Sequence, residues 1–191
     1  MYIFLVIVVA FILYLFVSKQ SRAITRAGKK GEKILYKKLR KSIKKGSVIL
    51  RNVELPLYDG ITEIDLLVVT QSGIVIIENK HLSGNIYGDT KSQNWIQDKN
   101  GNIKEFYNPI KQNYGHFKCL LHHLKKNKIY GVNITSIVIF SHEAGNLQVS
   151  DPFVHELESG VMAVKKLSSI KGNLDVNELA EKLKKMAKKY K

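Results

Sequence analysis

The sequence of 191 residues contains a single cysteine, Cys119, so no disulfide can form within the chain. This cysteine usage is typical of proteins in a reducing compartment. Apart from His116-x-x-Cys119, no Cys or His pair stands at zinc-ligand spacing, and a structural zinc site is therefore not expected. The sequence also lacks a P-loop, a dinucleotide-binding glycine fingerprint and a Gly-x-Ser-x-Gly elbow, so it does not carry the chemistry of those motifs.

Charged residues are absent from the first part of the chain, Met1 to Val17, where every residue is apolar or aromatic. A run of this length is at the short end of what spans a bilayer as a helix. A signal peptide is the alternative, but it needs a basic start and a small-residue cleavage site, and Lys19 is the first basic residue. We therefore expect a single transmembrane anchor over 1–17 and a basic linker over 18–26. Because positive charge follows the anchor, the main domain is expected to face the cytoplasm.

Acidic residues are scarce at both ends of the chain, and this explains the formal net charge of +15. Between 18 and 46 there are twelve Lys/Arg and one acid, Glu32, and between 165 and 191 there are nine Lys and three acids. The segment between them contains ten basic and twelve acidic residues. The basic ends predict attraction either to anionic lipid beside the anchor or to a polyphosphate backbone, and charge alone does not distinguish these partners.

The hydrophobic pattern predicts an α/β domain in which helices alternate with a small mixed sheet. Nearly unbroken apolar runs at 66–69 and 74–77 indicate strands buried on both faces, at the centre of the sheet. In the first helix, Glu32 unexpectedly shares a face with Leu35 and Leu39. The predicted helices are 27–42, 109–126 and 177–189, and the predicted strands are 47–55 (ended by Pro56), 62–70, 74–80 and 134–140, with shorter strands and turns over 85–106 around a core Trp95.

Three charged residues lie within the predicted hairpin 62–80: Asp65, Glu78 and Lys80. Residues two apart on a strand share a face, so Glu78 and Lys80 lie side by side. Charges in buried strands are costly unless they are paired or bound to a metal. Two carboxylates suit Mg²⁺ or Mn²⁺, which activate water, and a lysine can position that water or stabilise phosphate charge. The pattern indicates phosphodiester hydrolysis, and the alternative is a simple Glu78–Lys80 ion pair with Asp65 on a solvated edge.

The hypothesis makes a prediction about strand register. A two-residue loop at Ser72-Gly73 would put Asp65 opposite Lys80, on the same face as Glu78. A plain three-residue loop would send Asp65 to the opposite face of the sheet. An active site therefore requires the first register or another of equal parity.

Six motifs in order resemble those of the nuclease-related (NERD) domain, a branch of the restriction-endonuclease-like PD-(D/E)xK fold. They are Gly28-x-x-Gly31-Glu32, Glu63-Ile64-Asp65, the strand from Gly73 to Glu78-Asn79-Lys80, Gly84-x-Ile86-x-Gly88, Trp95, and Asn108-Pro109-x-x-Gln112. The resemblance runs from about Ala27 to Phe140. It implies a nuclease site formed by Glu32, Asp65, Glu78 and Lys80, with Gln112 contributing from the second long helix. Leu66 and Asn79 depart from the family pattern without removing any of these residues.

The expected protein is thus a membrane-anchored nuclease with a NERD-like domain over 27–165 and a basic amphipathic helix within 166–191. Asp65, Glu78 and Glu32 are the expected ligands of Mg²⁺ or Mn²⁺, and DNA is the expected substrate, with RNA as the other choice. One alternative is a non-catalytic, membrane-tethered scaffold that binds nucleic acid or lipid. Another is a hydrolase of a smaller phosphoester. Gln112 and His116 lie four residues apart on one helix face, so His116 is a candidate to approach the site, and the alternative is that it is an ordinary helix residue.

Overall fold

The computed structural model describes residues 26–142 and 144–190. It shows a mixed α/β fold, as the sequence predicts, in which helices flank two β-sheets where a single small sheet was expected. The expected anchor at 1–17 lies outside the described residues. Among the helices that are described, none is both long enough and apolar enough to cross a bilayer.

The described residues form the following helices and strands, numbered in chain order. The helices are α1 (26–42), α2 (Pro109–Lys126), α3 (Leu157–Ser169) and α4 (Val176–Met186). The strands are β1 (Val48–Leu57), β2 (Gly60–Thr70), β3 (Gly73–Lys80), β4 (Gly84–Tyr87), β5 (Asn94–Lys99), β6 (Asn102–Tyr107), β7 (Ile134–Phe140), β8 (Ala144–Gln148) and β9 (Val154–Glu156).

The larger sheet has the strand order β1-β2-β3-β7-β9. Its first three strands form an antiparallel meander, whereas β3, β7 and β9 are parallel. One face packs against α2 and α4 through residues such as Leu120 and Leu183, and the other packs against α1 and α3 through Leu35 and Val161. Strand β3 is therefore central and buried on both faces, as its apolar run predicts.

The smaller sheet has the strand order β6-β5-β4-β8. Trp95 of β5 is fully buried, stacks on Phe140 of β7 at 6.4 Å between ring centroids, and donates from Nε1 to the carbonyl of Asp89. The predicted turn at Asn100-Gly101 joins β5 to β6, and both residues have positive φ, which is the requirement of a type I′ hairpin. Strands β4 to β6 and α2 together form the long connection that a parallel β3–β7 pair requires.

Several predicted boundaries were wrong. Strand β1 continues through Pro56, which pairs with Ile61, because β1 is the edge strand of its sheet and a missing N–H is tolerated there. Helix α4 ends at Met186, earlier than the predicted 189. The short strands β8 and β9 and helix α3 were not predicted.

Candidate active site

Strand β1 rotates at Asn52, and this rotation shapes the candidate site. Leu50 and Val53 belong to the same core although they are three residues apart, which an evenly pleated strand does not allow. Asn52 lies between them with φ of 48°, in the left-handed region that asparagine tolerates better than most residues. The two strands pair on either side of this point, and the residue across from Asn52 in β2 is Asp65.

Asp65 lies where the pairing of β2 with β3 stops. The last paired residues on this side are Leu66 and Ile77, and beyond them the two strands separate. There the backbone N–H of Asn79 donates to Oδ2 of Asp65 over 2.8 Å. Continuing the register by one residue places Asp65 opposite Glu78.

The predicted parity of the hairpin is confirmed, while the predicted pairing was wrong. Thr70 pairs with Gly73, so the two-residue loop is Gln71-Ser72 and not Ser72-Gly73. Continued by one residue, this register makes Glu78 rather than Lys80 the residue opposite Asp65, and the two carboxyl groups are close enough to interact.

Glu78 is only 2% exposed, and both of its carboxylate oxygens have partners. Lys80 Nζ lies 2.8 Å from Oε1, and Nε2 of the buried His116 lies 3.1 Å from Oε2. Lys80 also donates to Oε1 of Gln112 over 2.8 Å. Gln112 and His116 lie one turn apart on α2, and they contact Lys80 and Glu78, respectively.

The second ring nitrogen of His116 fixes the orientation of the imidazole. Nδ1 lies 2.9 Å from Oγ1 of Thr62 on β2. An ionised Glu78 only accepts hydrogen bonds, so Nε2 carries the proton toward Glu78. In the neutral ring Nδ1 then accepts from the threonine hydroxyl, and every polar atom of the imidazole is satisfied.

Glu32 approaches the same region from α1. Nδ2 of Asn52 donates both to Oε2 of Glu32 at 2.9 Å and to Oε1 of Glu63 at 2.8 Å. The amide oxygen of Asn52 is buried and has no hydrogen-bond partner within the described ranges. Asn52 therefore joins α1 to β2 and leaves an acceptor free beside the carboxylates.

The electrostatic environment of Asp65 is unfavourable to its charged form. Burial and the neighbouring Glu78 raise its pKa to about 8, and Glu32 adds to the rise. The hydrogen bond from the Asn79 N–H and the charge of Lys80 act in the opposite direction and do not cancel the effect. Without a bound cation, the surroundings of Asp65 therefore favour its neutral, protonated form.

Helix α1 lies very close to the ends of β3 and β7. A Cβ placed on Gly31 would be 2.5 Å from both Cβ of His81 and Oγ of Ser141. A methyl group does not fit there, so only glycine allows α1 to approach this closely. The position of Glu32, the next residue, depends on this approach.

The donor chemistry at this place fits a divalent cation. Carboxylate and amide oxygens are the ligands that Mg²⁺ and Mn²⁺ prefer, and Asp65, Glu78, Glu32 and the free oxygen of Asn52 supply them. In residues 26–142 and 144–190, no group of three or more His, Cys, Asp or Glu is already arranged to hold a metal ion. Mg²⁺ commonly uses only one or two carboxylates, with waters and substrate phosphate completing its shell.

The structure brings Asp65, Glu78, Lys80 and Gln112 together, while Glu32 is linked to them through Asn52. Sequence reasoning missed Asn52 and Thr62 and undervalued His116. Of the two interpretations of His116, its contact with Glu78 favours the one that brings it to the site, and its spacing of four from Gln112 was the available signal. No sequence signal indicated Asn52, because its contacts depend on a left-handed backbone conformation.

The fold and these residues define an α/β domain of the nuclease-related class. Residues 27–141, more than half of the chain, match the family model of the nuclease-related domain (NERD), and the chain belongs to that family. Over 94 residues it is 36% identical to an uncharacterized protein of Bacillus anthracis. That similarity covers 49% of this chain and 44% of the relative, so the chain spans less than half of the relative's length. No solved structure matches.

Proposed function

We propose that this protein is a divalent-metal-dependent nuclease that hydrolyses phosphodiester bonds, with DNA as the expected substrate and RNA as the other choice. The observation that carries the proposal is that Asp65, which accepts from the backbone N–H of Asn79, lies beside Glu78 and Lys80 at the point where β2 and β3 separate. Membership of a nuclease-related family supports the same class. The proposal includes a restriction-endonuclease-like core as the scaffold of the site.

Each residue has a role that follows from its contacts. Asp65 and Glu78 would hold Mg²⁺ or Mn²⁺, with Glu32 completing the acidic cluster. The chemistry that such an ion supplies is activation of water and neutralisation of phosphate charge. Lys80 is held between Glu78 and Gln112, so its ammonium is oriented before substrate arrives and can stabilise developing phosphate charge. Gln112 would orient Lys80 or water, and His116 would keep Glu78 in place.

We also propose that the chain is membrane-anchored through 1–17, with its main domain facing the cytoplasm. Support comes from the uncharged apolar run and the basic residues that follow it. Anionic lipid would then attract the basic linker. Alkaline extraction of membranes tests the anchor: a spanning helix stays in the pellet, whereas a peripheral protein is released.

Cleavage is tested with the full chain purified in detergent. Single- and double-stranded DNA and RNA are incubated with Mg²⁺ or Mn²⁺, and parallel samples contain EDTA. Asp65→Asn and Glu78→Gln keep the size of each side chain and remove the carboxylate, while Lys125→Gln, at an exposed position on α2, is the matched control. We expect cleavage by wild type and control, loss of at least about a hundredfold in both site variants, and loss in EDTA.

One observation favours the non-catalytic scaffold as a second candidate. Both oxygens of Glu78 already have partners within the protein, so the network is satisfied without a metal. If wild type, Asp65→Asn and Glu78→Gln bind nucleic acid equally and none cuts, the scaffold is correct. If the full chain instead cleaves only small phosphoesters, the substrate class in the proposal is wrong.

A further inference from the structure

Two adjoining cavities lie on the other side of the end of β3, away from Gln112 and His116. One, of about 470 Å³, is lined by residues that include Lys30, His81 and Ser141. The other, of about 290 Å³, is lined by residues that include His81, Lys99 and Lys104. His81 lines both, so the two cavities meet at this residue, and we name them together the His81 groove.

His81 connects this groove to the candidate active site. It directly follows Lys80, and successive residues of a strand point to opposite faces. Lys80 points toward α2, where it contacts Gln112, whereas His81 lies under α1 and contacts Ser141 Oγ through Nδ1 at 3.1 Å. A chain-like ligand that passes over the end of β3 therefore reaches both side chains.

One wall of the groove is the inner face of the smaller sheet. Trp95, Gln97 and Lys99 alternate along β5 and share this face, and Lys104 lies opposite Gln97 on β6. The face begins in the core at the buried Trp95 and ends in two exposed lysines. Gln97 Nε2 donates to the carbonyl of Ser83, which fixes the sheet beside His81.

The charges of this wall are not neutralised by the protein. Neither Lys99 nor Lys104 has an ion pair in the described part of the chain. The neighbouring Asp98 belongs to the other face of β5, and in the strand register it lies opposite Asn85 of β4. Two like charges on one face repel each other unless an anion lies between them. Lys30 of α1 lines the adjoining cavity and adds a third positive charge near His81.

The far end of the groove differs in charge. Glu156 and Glu158 line the larger cavity beyond Ser141, and Glu158 is ion-paired with Lys38. The positive potential is therefore limited to the half between Lys30 and Lys104. Within it, burial and the nearby His142 and Lys30 lower the pKa of His81, consistent with a positively charged surrounding.

We propose that the His81 groove binds the phosphodiester backbone of one nucleic-acid strand next to the bond that is cut. The inference rests on the proposed function and assigns it a substrate-binding surface. The smaller cavity is close to the lower limit of small-ligand sites, so it takes a nucleotide-sized unit and not a duplex. Lys99 and Lys104 contact phosphates, while His81 and Ser141 offer neutral hydrogen-bonding groups between them.

The test measures binding separately from cleavage. The full chain in detergent is titrated with a labelled single-stranded DNA of about 20 nucleotides in EDTA, at several salt concentrations. Each phosphate contact contributes about 0.7 to the slope of log affinity against log salt for a single strand. Lys99→Gln/Lys104→Gln should therefore reduce the slope by about 1.4 and weaken binding severalfold. Lys125→Gln/Lys126→Gln, the same change at two exposed lysines of α2, should retain the wild-type slope.

Acetylation of lysines followed by mass spectrometry locates the contact. The oligonucleotide should protect Lys99 and Lys104 and leave Lys125 and Lys126 reactive. A double variant with the wild-type slope, or equal losses in both double variants, overturns the groove. Protection by anionic lipid vesicles and not by the oligonucleotide also overturns it, in favour of a membrane surface.

The groove and the nuclease proposal fail in different ways. If the strand protects Lys99 and Lys104 but no nucleic acid is ever cut, the groove is retained and nuclease activity is rejected. If wild type cuts DNA while Lys99→Gln/Lys104→Gln binds and cuts normally, nuclease activity is retained and the groove is rejected.

Discussion

The backbone N–H of Asn79 donates to the carboxylate of Asp65 over 2.8 Å, at the place where β2 and β3 stop pairing. A side chain thus takes the hydrogen bond that a strand partner would otherwise accept. The same carboxyl is buried beside Glu78, and the Asn79 bond does not offset this cost. Asp65 is therefore held in a position that is unfavourable for folding and suitable for binding a cation.

This cost predicts how stability depends on pH. The pKa of Asp65 is about 8 in the folded protein and near 3.8 in the unfolded chain, so the folded state binds the proton more tightly. The contribution of Asp65 is most favourable below pH 4, and it is lost as pH rises toward 8. Asp65→Asn removes this loss, and at pH 8 without metal the variant should be more stable than wild type by about 1–3 kcal/mol. Urea denaturation at several pH values measures the difference.

Asp89 provides the contrast for that measurement. Hydrogen bonds from Ser92 and Lys91 lower the pKa of this exposed carboxyl, so its contribution to stability has the opposite sign and is lost at low pH. Asp89→Asn should retain the decline in stability between pH 4 and 8. If Asp65→Asn also retains this decline in stability, a group other than Asp65 causes it.

Divalent ions should stabilise wild type through the same residue. An ion that binds only the folded protein raises the unfolding free energy by about 2.7 kcal/mol at a hundred times its dissociation constant. Mn²⁺ should therefore raise the melting temperature of wild type and of Lys125→Gln, and it should not raise that of Asp65→Asn. Thermal unfolding followed by circular dichroism measures this shift without any substrate. Equal shifts in all three proteins would place the ion elsewhere.

Two substitutions at Asn52 separate its backbone from its side chain. Asn52→Gly permits φ of 48° and removes the amide that contacts Glu32 and Glu63, whereas Asn52→Ala also introduces strain of about 1–2 kcal/mol in the left-handed region. We expect both variants to lose activity because Glu32 is no longer held. The alanine variant should also be less stable than the glycine variant by about 1 kcal/mol in chemical denaturation. Full activity in Asn52→Gly would show that the amide does not position Glu32.

The contact of His116 with Glu78 predicts a difference between two substitutions on α2. His116→Leu removes the partner of a buried carboxylate and should destabilise the protein by about 3 kcal/mol. His116→Gln offers an amide donor in a similar place and should cost about 1 kcal/mol. Chemical denaturation near pH 7 compares them. If the two variants are equally stable, the hydrogen bond to Glu78 contributes nothing and packing accounts for the burial of His116.

Two glycines of α1 predict opposite effects of the same substitution. Gly31→Ala forces a methyl group against His81 and Ser141, so α1 must move and stability should fall by about 1–3 kcal/mol. Gly28 has open space around it, and Gly28→Ala should stabilise the helix by up to about 1 kcal/mol. Cleavage assays on both variants test whether Glu32 moves with the helix. A Gly31→Ala protein that is fully stable and active would show that the close approach is not required.

Much of the fold could be predicted because local patterns of apolar and turn-forming residues identify its strands. The apolar run at Ile74–Ile77 indicated a central strand, and Asn100-Gly101 indicated a hairpin, and both were confirmed. The register of the β2–β3 hairpin was predicted only in parity. Thr70 Oγ1 accepts from the N–H of Gly73 and donates to its carbonyl, and these bonds place Gly73 within β3 instead of in the turn.

The remainder of the site depends on contacts between distant parts of the chain. His116 and Glu78 lie on different elements, and so do Asn52 and Glu32. Hydrophobic periodicity describes which face of an element is buried, and it does not describe which polar atoms meet across that face. The rotation of β1 at Asn52 could not be predicted either, because in the sequence Asn52 is one polar residue within an ordinary strand pattern.

The connection from β3 to β7 carries three strands of the smaller sheet, β4 to β6, and with them Lys99 and Lys104, whereas Asp65, Glu78 and Lys80 belong to the hairpin before it. The parallel pairing of β3 with β7 fixes only the two ends of this connection. The strands proposed for recognition and the strands that carry Asp65, Glu78 and Lys80 are therefore separate stretches of the sequence, while Gln112 and His116 lie on α2 at the end of the connection. Exchange of the inserted strands between related proteins can change which polymer is held without altering the groups that break it, so substrate preference can evolve independently of the reaction.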